Sequence, residues 1–199
     1  VDSTIRLDGL VDRCVELGLP AVAITDRNNL FALVKFYKLA EAAGLKPIAG
    51  ADLTVVDPEG ASSQLTLLCR DHDGYLALSR LLTRAWMHGH RQDGVGIDSA
   101  WLDDENLAGL FALAGRDSSI GAALLGGRDE HARAEVERLQ RLFGHRLNLA
   151  LTRTQRPHED AFNAYALHLS GQHSIPVVAS NDVRFLEADD FDAHEARVC

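Results

Sequence analysis

The chain has 199 residues and a mass of 21.7 kDa, with 46% hydrophobic and 25% charged residues, the make-up of one ordinary globular domain that buries a core without staples. Its 20 Lys and Arg against 29 Asp and Glu leave a net charge of −9 at pH 7, which excludes a domain-wide basic footprint, so direct DNA binding is not expected of it. No apolar run approaches the ~20 residues that span a bilayer, and Val1-Asp2-Ser3 lacks the basic start of a signal peptide, so neither membrane insertion nor export is expected.

Apolar residues at Leu7, Leu10, Val11, Cys14 and Val15 follow the spacing of one helix face, and Gly18 supplies a left-handed stop. The run Pro20-Ala21-Val22-Ala23-Ile24 then reads as a strand buried on both faces, ending in Thr25-Asp26. Leu30, Leu33, Val34, Tyr37 and Ala40 mark a second helix stopped by Gly44, followed by the strand Pro47-Ile48-Ala49-Gly50-Ala51 and then Asp52. Further strands are expected at 65–69, 110–114 and 147–151. The helices between them carry Leu78, Leu81, Leu82 and Ala85 before Gly89, and Ala132, Val136, Leu139 and Phe143 before Gly144. The stretches 90–105 and 126–129 read as loops, the second able to cap the helix after it. A last helix through Phe162, Tyr165, Ala166 and Leu169 is closed by Gly171, and Ile175-Pro176-Val177-Val178-Ala179-Ser180 leads to Asn181-Asp182. Six strands alternating with helices make an α/β protein with a mostly parallel sheet, either an open doubly wound sheet or a closed barrel. Asp26, Asp52 and Asp182 each follow an expected strand. In a barrel those positions converge at one mouth, which favours closure.

Three carboxylates at one mouth could hold a divalent metal. The nine histidines, however, fall in expected helices or adjoining loops, and Arg27 and Arg184, which cannot ligate a metal, stand beside two of the acids. The plainer alternative makes each Asp a helix N-cap or turn former, as Asp26 before Arg27-Asn28-Asn29 would be. No Ser or Cys has His and acid partners at a telling spacing, and neither Gly94-Val95-Gly96 nor Gly126-Gly127 has the context of a phosphate loop. The acidic run 187–195 reads as a solvated face or the approach to a linker. Cys14, Cys69 and Cys199 form no C-x-x-C pair and fit free thiols in a reducing, cytoplasmic compartment. A start at Val1 and a stop at Cys199 read as a piece of something longer.

Four stretches carry a family resemblance: Ala23-Ile24-Thr25-Asp26-Arg27-Asn28-Asn29-Leu30, Val34-Lys35-Phe36-Tyr37, Gly44-Leu45-Lys46-Pro47-Ile48-Ala49-Gly50-Ala51-Asp52 and Val177-Val178-Ala179-Ser180-Asn181-Asp182-Val183-Arg184-Phe185. Leu65-Thr66-Leu67-Leu68, Gly74-Tyr75, Arg153-Thr154-Gln155-Arg156-Pro157 and Asp192-Ala193-His194-Glu195 fall in the same order. The chain resembles the polymerase-and-histidinol-phosphatase (PHP) domain, in the proteobacterial form that opens the alpha subunit of the bacterial replicative polymerase, DNA polymerase III. The resemblance runs the full chain.

It implies a distorted, seven-stranded, TIM-like α/β barrel whose first strand, with a His-x-His metal motif, would lie upstream of Val1. Residues 1–199 would then be an N-terminally truncated PHP domain, with about 187–199 starting the connection to the polymerase core. Active members carry metal ligands where this sequence has Arg27 (for a His), Asp52 (for Glu), Gln64 (for a strand-head His) and Arg184 (for the last His), and Arg153 lies in the segment that carries another ligand. Only Asp26 and Asp182 persist unchanged. These seven residues are expected to form a vestigial metal-site pocket with no metal and no catalytic residue. Arg27 and Arg184 would plug it with salt bridges worth roughly 3–5 kcal/mol where buried.

The function implied is a non-catalytic scaffold that supports the polymerase core of the same chain and docks the separate proofreading exonuclease subunit. The parent chain would be a DNA-directed DNA polymerase that uses Mg. The alternatives are an active metal-dependent phosphoesterase, a 3′–5′ exonuclease or pyrophosphatase, and, more remotely, a stand-alone small-molecule phosphatase of the same fold.

Overall fold

The computed structural model describes residues 3–92 and 94–198. In chain order the elements are α1 (Leu7–Glu16), β1 (Ala21–Arg27), α2 (Leu33–Ala42), β2 (Lys46–Val56), β3 (Ser62–Cys69), α3 (His72–His88), β4 (His90–Arg91), β5 (Gly94–Val95) and β6 (Ile97–Asp98). There follow β7 (Leu110–Ala114), α4 (Ser119–Leu125), α5 (Asp129–Phe143), β8 (Leu147–Leu151), α6 (Glu159–His173), β9 (Val177–Ala179) and α7 (Phe191–Val198). The chain divides into two compact units. One is Val1–Ile24, Phe31–Ala49 and Asp182–Cys199; the other is Thr25–Leu30 and Gly50–Asn181.

In the first unit α1 packs on α2 and buries Val11 and Cys14, while α2 buries Leu33, Phe36 and Ala40. The face of α2 differs from the one expected. Phe36 is the fully buried aromatic, whereas Val34 and Tyr37 stand 67% and 46% exposed, because the helix starts at Leu33 and its i, i+3, i+7 stripe runs through 36 and 40. Gly18 and Gly44 terminate the two helices at φ 65° and 71°, which a side chain would strain. The amide of Thr4 donates to the carbonyl of Arg184 at 3.1 Å, and Leu186 packs against Gly9. The acidic run 187–195 forms a short 3-10 turn at Ala188–Asp190 and then α7, opened by a reciprocal cap between Glu187 and Asp190.

In the second unit the core gathers Ala51, Leu53, Leu65 and Leu67 from the sheet with Leu78, Leu81, Val136, Phe143 and Phe162 from the helices. The sheet order is β1-β2-β3-β7-β8-β9, with β6 pairing parallel beside β2. All six expected strands are present, but the sheet is mixed rather than mostly parallel: β3 runs antiparallel to both β2 and β7. The cause is the connection 57–61. There Asp57 N–H donates to the Ala61 carbonyl, closing a hairpin too short for a parallel crossover. Strands β7, β8 and β9 are parallel, joined through helices.

Part of the stretch expected to be loop is ordered: β4 pairs with β5, and a 3-10 turn at Ser99–Leu102 follows β6. Helix α4 is an element absent from the sequence reading, and α6 does not stop at Gly171 but runs to His173 and ends on left-handed Ser174. Helix α3 starts where the Asp71 carboxylate accepts from the Gly74 amide at 3.0 Å. A Cβ at Gly74 would lie 1.9 Å from the Gly109 carbonyl oxygen, so two glycines meet backbone to backbone here. Cys14 and Cys69 are free thiols, Cys69 pushed up to about 11 by burial and the nearby Asp71 charge; Cys199 lies outside the described residues.

Candidate functional site

Asp26 and Asp52 do not follow strands; they lie within them, Asp26 next to the end of β1 and Asp52 inside β2. This removes the helix-cap reading of Asp26, since α2 begins at Leu33 with Ala32 before it. Along β2, Ala51, Leu53 and Val55 enter the core, so the strand's period of two sends Asp52 and Thr54 to the opposite face. Opposite them on β3 stand Thr66 and Gln64. Asp52 Oδ1 accepts from the Thr66 hydroxyl, and its Oδ2 from the Thr25 hydroxyl at 3.4 Å. Gly50, two residues before, lets β3 come close: a Cβ there would meet the Leu67 carbonyl at 2.6 Å. Gln64 is exposed, and its amide donates to the Asp117 carbonyl at 2.8 Å.

Arg27 ends β1 with an exposed side chain, so the buried-pair magnitude expected for it does not apply. The next residue organises this corner of the molecule. Asn28, 7% exposed at φ 54°, accepts the Thr54 amide on Oδ1 at 2.8 Å and donates from Nδ2 to Thr54 Oγ1 at 2.9 Å and to the Val95 carbonyl at 2.7 Å. Its own amide donates to the Asp52 carbonyl at 3.0 Å, and its carbonyl accepts from Trp86 Nε1 at 2.8 Å. Every polar atom of a buried left-handed residue is thereby satisfied, and the chain leaving Asp26 and Arg27 is fixed to β2. An Asn directly after an apolar strand was the available signal, since Asn tolerates that conformation.

Arg153 is exposed in the loop after β8, a loop that turns through left-handed Gln155 and His158. Glu159, 4% exposed, holds it: its carboxylate accepts from the Thr152 and Thr154 hydroxyls and from the amides of Thr154 and Gln155, the last at 2.9 Å. Burial raises the Glu159 carboxyl, yet those four donors outweigh it and hold the group below its ordinary range. Alongside, Arg116 forks onto Asp117 with both contacts at 2.9 Å and reaches the Pro157 carbonyl at 3.2 Å, and Arg156 stands 3.9 Å from Asp117. The loops after β7 and β8 are thus tied by arginines.

In the other unit, Arg184 Nε meets Asp182 Oδ1 at 2.7 Å, both side chains about 70% covered. The seven residues expected to share a pocket therefore divide five and two: Asp26, Arg27, Asp52, Gln64 and Arg153 in one unit, Asp182 and Arg184 in the other. Among the described residues no group of three His, Cys, Asp or Glu stands where it could hold a metal ion. Asp182 is engaged by a guanidinium and Asp52, which stands for the family's Glu, by two hydroxyls, and Arg27, Gln64, Arg153 and Arg184 supply no metal-ligating donor, so this donor set does not fit a bound metal.

A mixed sheet with helices packed on its core face makes this an α/β protein. Residues 1–154 match the PHP domain, and the chain belongs to that family. It is 54% identical over 191 residues to the DNA polymerase III subunit alpha of Xylella fastidiosa strain Temecula1, covering 96% of this chain and 16% of the relative. It is 40% identical over 200 residues to the subunit of the same description from Escherichia coli K12, covering 100% of this chain and 17% of that one. The chain thus spans about a sixth of the length of the polymerase subunits it matches. Among solved structures it is similar to one described as a metal-dependent phosphoesterase of Bifidobacterium adolescentis, with TM-score 0.63, 15% identity and coverage of 98% of this chain and 92% of that one. An amidohydrolase of Chromobacterium violaceum, solved with sulfate and without metal, matches with the same TM-score at 13% identity, covering 98% of this chain and 93% of that chain. These two likenesses carry the fold alone. Within the described residues no helix is long and apolar enough to cross a membrane.

Proposed function

We propose that this chain is the PHP domain of a bacterial replicative polymerase, a cytoplasmic DNA-directed DNA polymerase that uses Mg, and that the domain itself is a metal-free scaffold. In this role it supports the polymerase core of the same polypeptide and docks the proofreading exonuclease subunit. The observation that carries the reading is the 54% identity, over nearly the whole chain, to a polymerase alpha subunit. It is joined by the non-ligating residues Arg27, Gln64 and Arg184 where the family resemblance implies metal ligands, and by Arg153 in the segment where it implies another. A net charge of −9 favours protein docking over contact with DNA.

The same reading makes Asp26, Arg27, Asp52, Gln64, Arg153, Asp182 and Arg184 the remnant of a metal pocket. It also makes the sheet part of a distorted seven-stranded barrel; β1 and β9 end the strand path, the two edges such a closure would use. Residues from about 187 onward, helical in α7, would begin the passage to the polymerase core.

The test is association. The full polypeptide carrying this chain is mixed with its exonuclease subunit and run by size exclusion, beside a version lacking residues 1–199. Co-elution that disappears with the deletion while primer extension persists supports docking here. Co-elution unchanged by the deletion rejects it.

A further inference from the structure

A cavity of about 290 Å³ lies in the larger unit between the β2–β3 hairpin and helix α5, lined by Val55 and Leu65 of the sheet and also by Gln64. Its floor is apolar, formed by Val55, Leu65, Leu102 and Leu139. Its rim is polar and its acids are mostly committed: Asp57 Oδ1 accepts the Ala61 amide at 2.8 Å, and Glu135 stands 3.9 Å from Arg138. Arg138 is itself occupied by the Ser99 carbonyl at 2.7 Å and Asp103 at 3.0 Å. Glu59 sits at the hairpin tip. On the α5 side of the rim, Arg128 stands just before the first turn of α5 and His131 within that turn, and among the described residues neither side chain makes a hydrogen bond or ion pair.

The backbone under these two is fixed. Arg128 N–H donates to the Ala123 carbonyl at 2.9 Å after left-handed Gly127, and its carbonyl accepts the Ala132 amide at 3.0 Å, so Arg128 is presented at the start of α5. An apolar floor beside the uncommitted Arg128 guanidinium and His131 imidazole is complementary to a ligand with an apolar body and one anionic end.

We propose that this cavity is a binding site for a small aromatic or aliphatic anion, a carboxylate or a phosphate monoester of about ten to fifteen heavy atoms, its apolar body on Leu65 and Leu139 and its anion on Arg128 and His131. The assignment does not depend on the scaffold reading, and it shares one residue, Gln64, with the proposed remnant of the metal pocket.

Ligand-observed fluorine NMR on the full polypeptide tests it, with 4-fluorobenzoate and 4-fluorophenyl phosphate as anionic probes and 4-fluorotoluene as the neutral control. The expected result is saturable broadening of either anion, at least ~10-fold weaker for 4-fluorotoluene and for the Arg128→Ala/His131→Ala variant. Both substituted residues are exposed, so the variant is expected to keep the parent melting temperature, which is checked in parallel. The ratio of the two anions tells a carboxylate site from a phosphate site. No saturable broadening, equal binding of 4-fluorotoluene, or anion binding unchanged in the variant overturns the proposal.

Discussion

The side-chain amide of Asn28 pairs with Thr54 as a strand residue would, its Oδ1 taking the Thr54 amide at 2.8 Å and its Nδ2 giving to Thr54 Oγ1 at 2.9 Å. A side chain thus supplies the ladder where the backbone has turned left-handed at φ 54°. Asn28→Ala removes those bonds, strands the Val95 carbonyl and the Thr54 amide, and leaves a Cβ residue in a strained conformation. The expected cost is about 2–4 kcal/mol of stability by denaturant titration. A loss below about 0.5 kcal/mol would show that water replaces the side chain.

Glu159 gives a pH signature. Its folded carboxyl lies below the ordinary 4.5, so its contribution is complete above that value and is lost as the pH falls through the lower, folded value. Glu159→Gln is expected to destabilise by about 1–3 kcal/mol at pH 7, with the gap to the parent shrinking as the pH falls below the ordinary 4.5. A gap that is constant with pH would assign the cost to shape rather than charge.

Gly74→Ala places a Cβ 1.9 Å from the Gly109 carbonyl oxygen, and both partners are backbone, so nothing flexible can yield. Roughly 3 kcal/mol or more of destabilisation is expected, measured as a fall in the denaturation midpoint. Gly60→Ala, where nothing lies within 4 Å but φ is 90°, is expected to cost only the backbone strain, roughly 1–2 kcal/mol.

Arg27 and Arg184, each proposed as part of a metal-site remnant, should differ. Arg184 is about 27% exposed and pairs with Asp182 at 2.7 Å, whereas the residue Arg27 is exposed. Arg184→Ala is expected to cost about 1–2 kcal/mol and Arg27→Ala less than about 1 kcal/mol. Equal, large losses would restore the buried plug.

Periodicity exposed the helices whose apolar stripes are clean, such as Ala132, Val136, Leu139 and Phe143 on α5, and the short buried runs of β7 and β8. It missed α4, seven residues long, although Ser118 stands as its cap ahead of Ile120, Ala123 and Leu124. It misjudged Asp26 and Asp52 because a strand buried on one face continues through a polar residue on the other, so an acid after an apolar run does not mark the strand's end. The antiparallel course of β3 was latent in Asp57-Pro58-Glu59-Gly60, a hairpin-turn signal that helix and strand periodicity passes over. Residues Asn28 and Glu159 owe their importance to partners distant in the chain or to a loop conformation, neither of which a spacing rule reaches.

The central claim, a PHP domain whose metal site has been replaced by arginines, hydroxyls and an amide, is tested most directly by elemental analysis of the full polypeptide, with melting followed in chelator and in added zinc or manganese. The domain's own melting transition is assigned by its loss in the version lacking residues 1–199. Substoichiometric metal and a melting temperature indifferent to chelator and metal are expected. One or more ions per chain, with a melting temperature lowered by chelator, would contradict it.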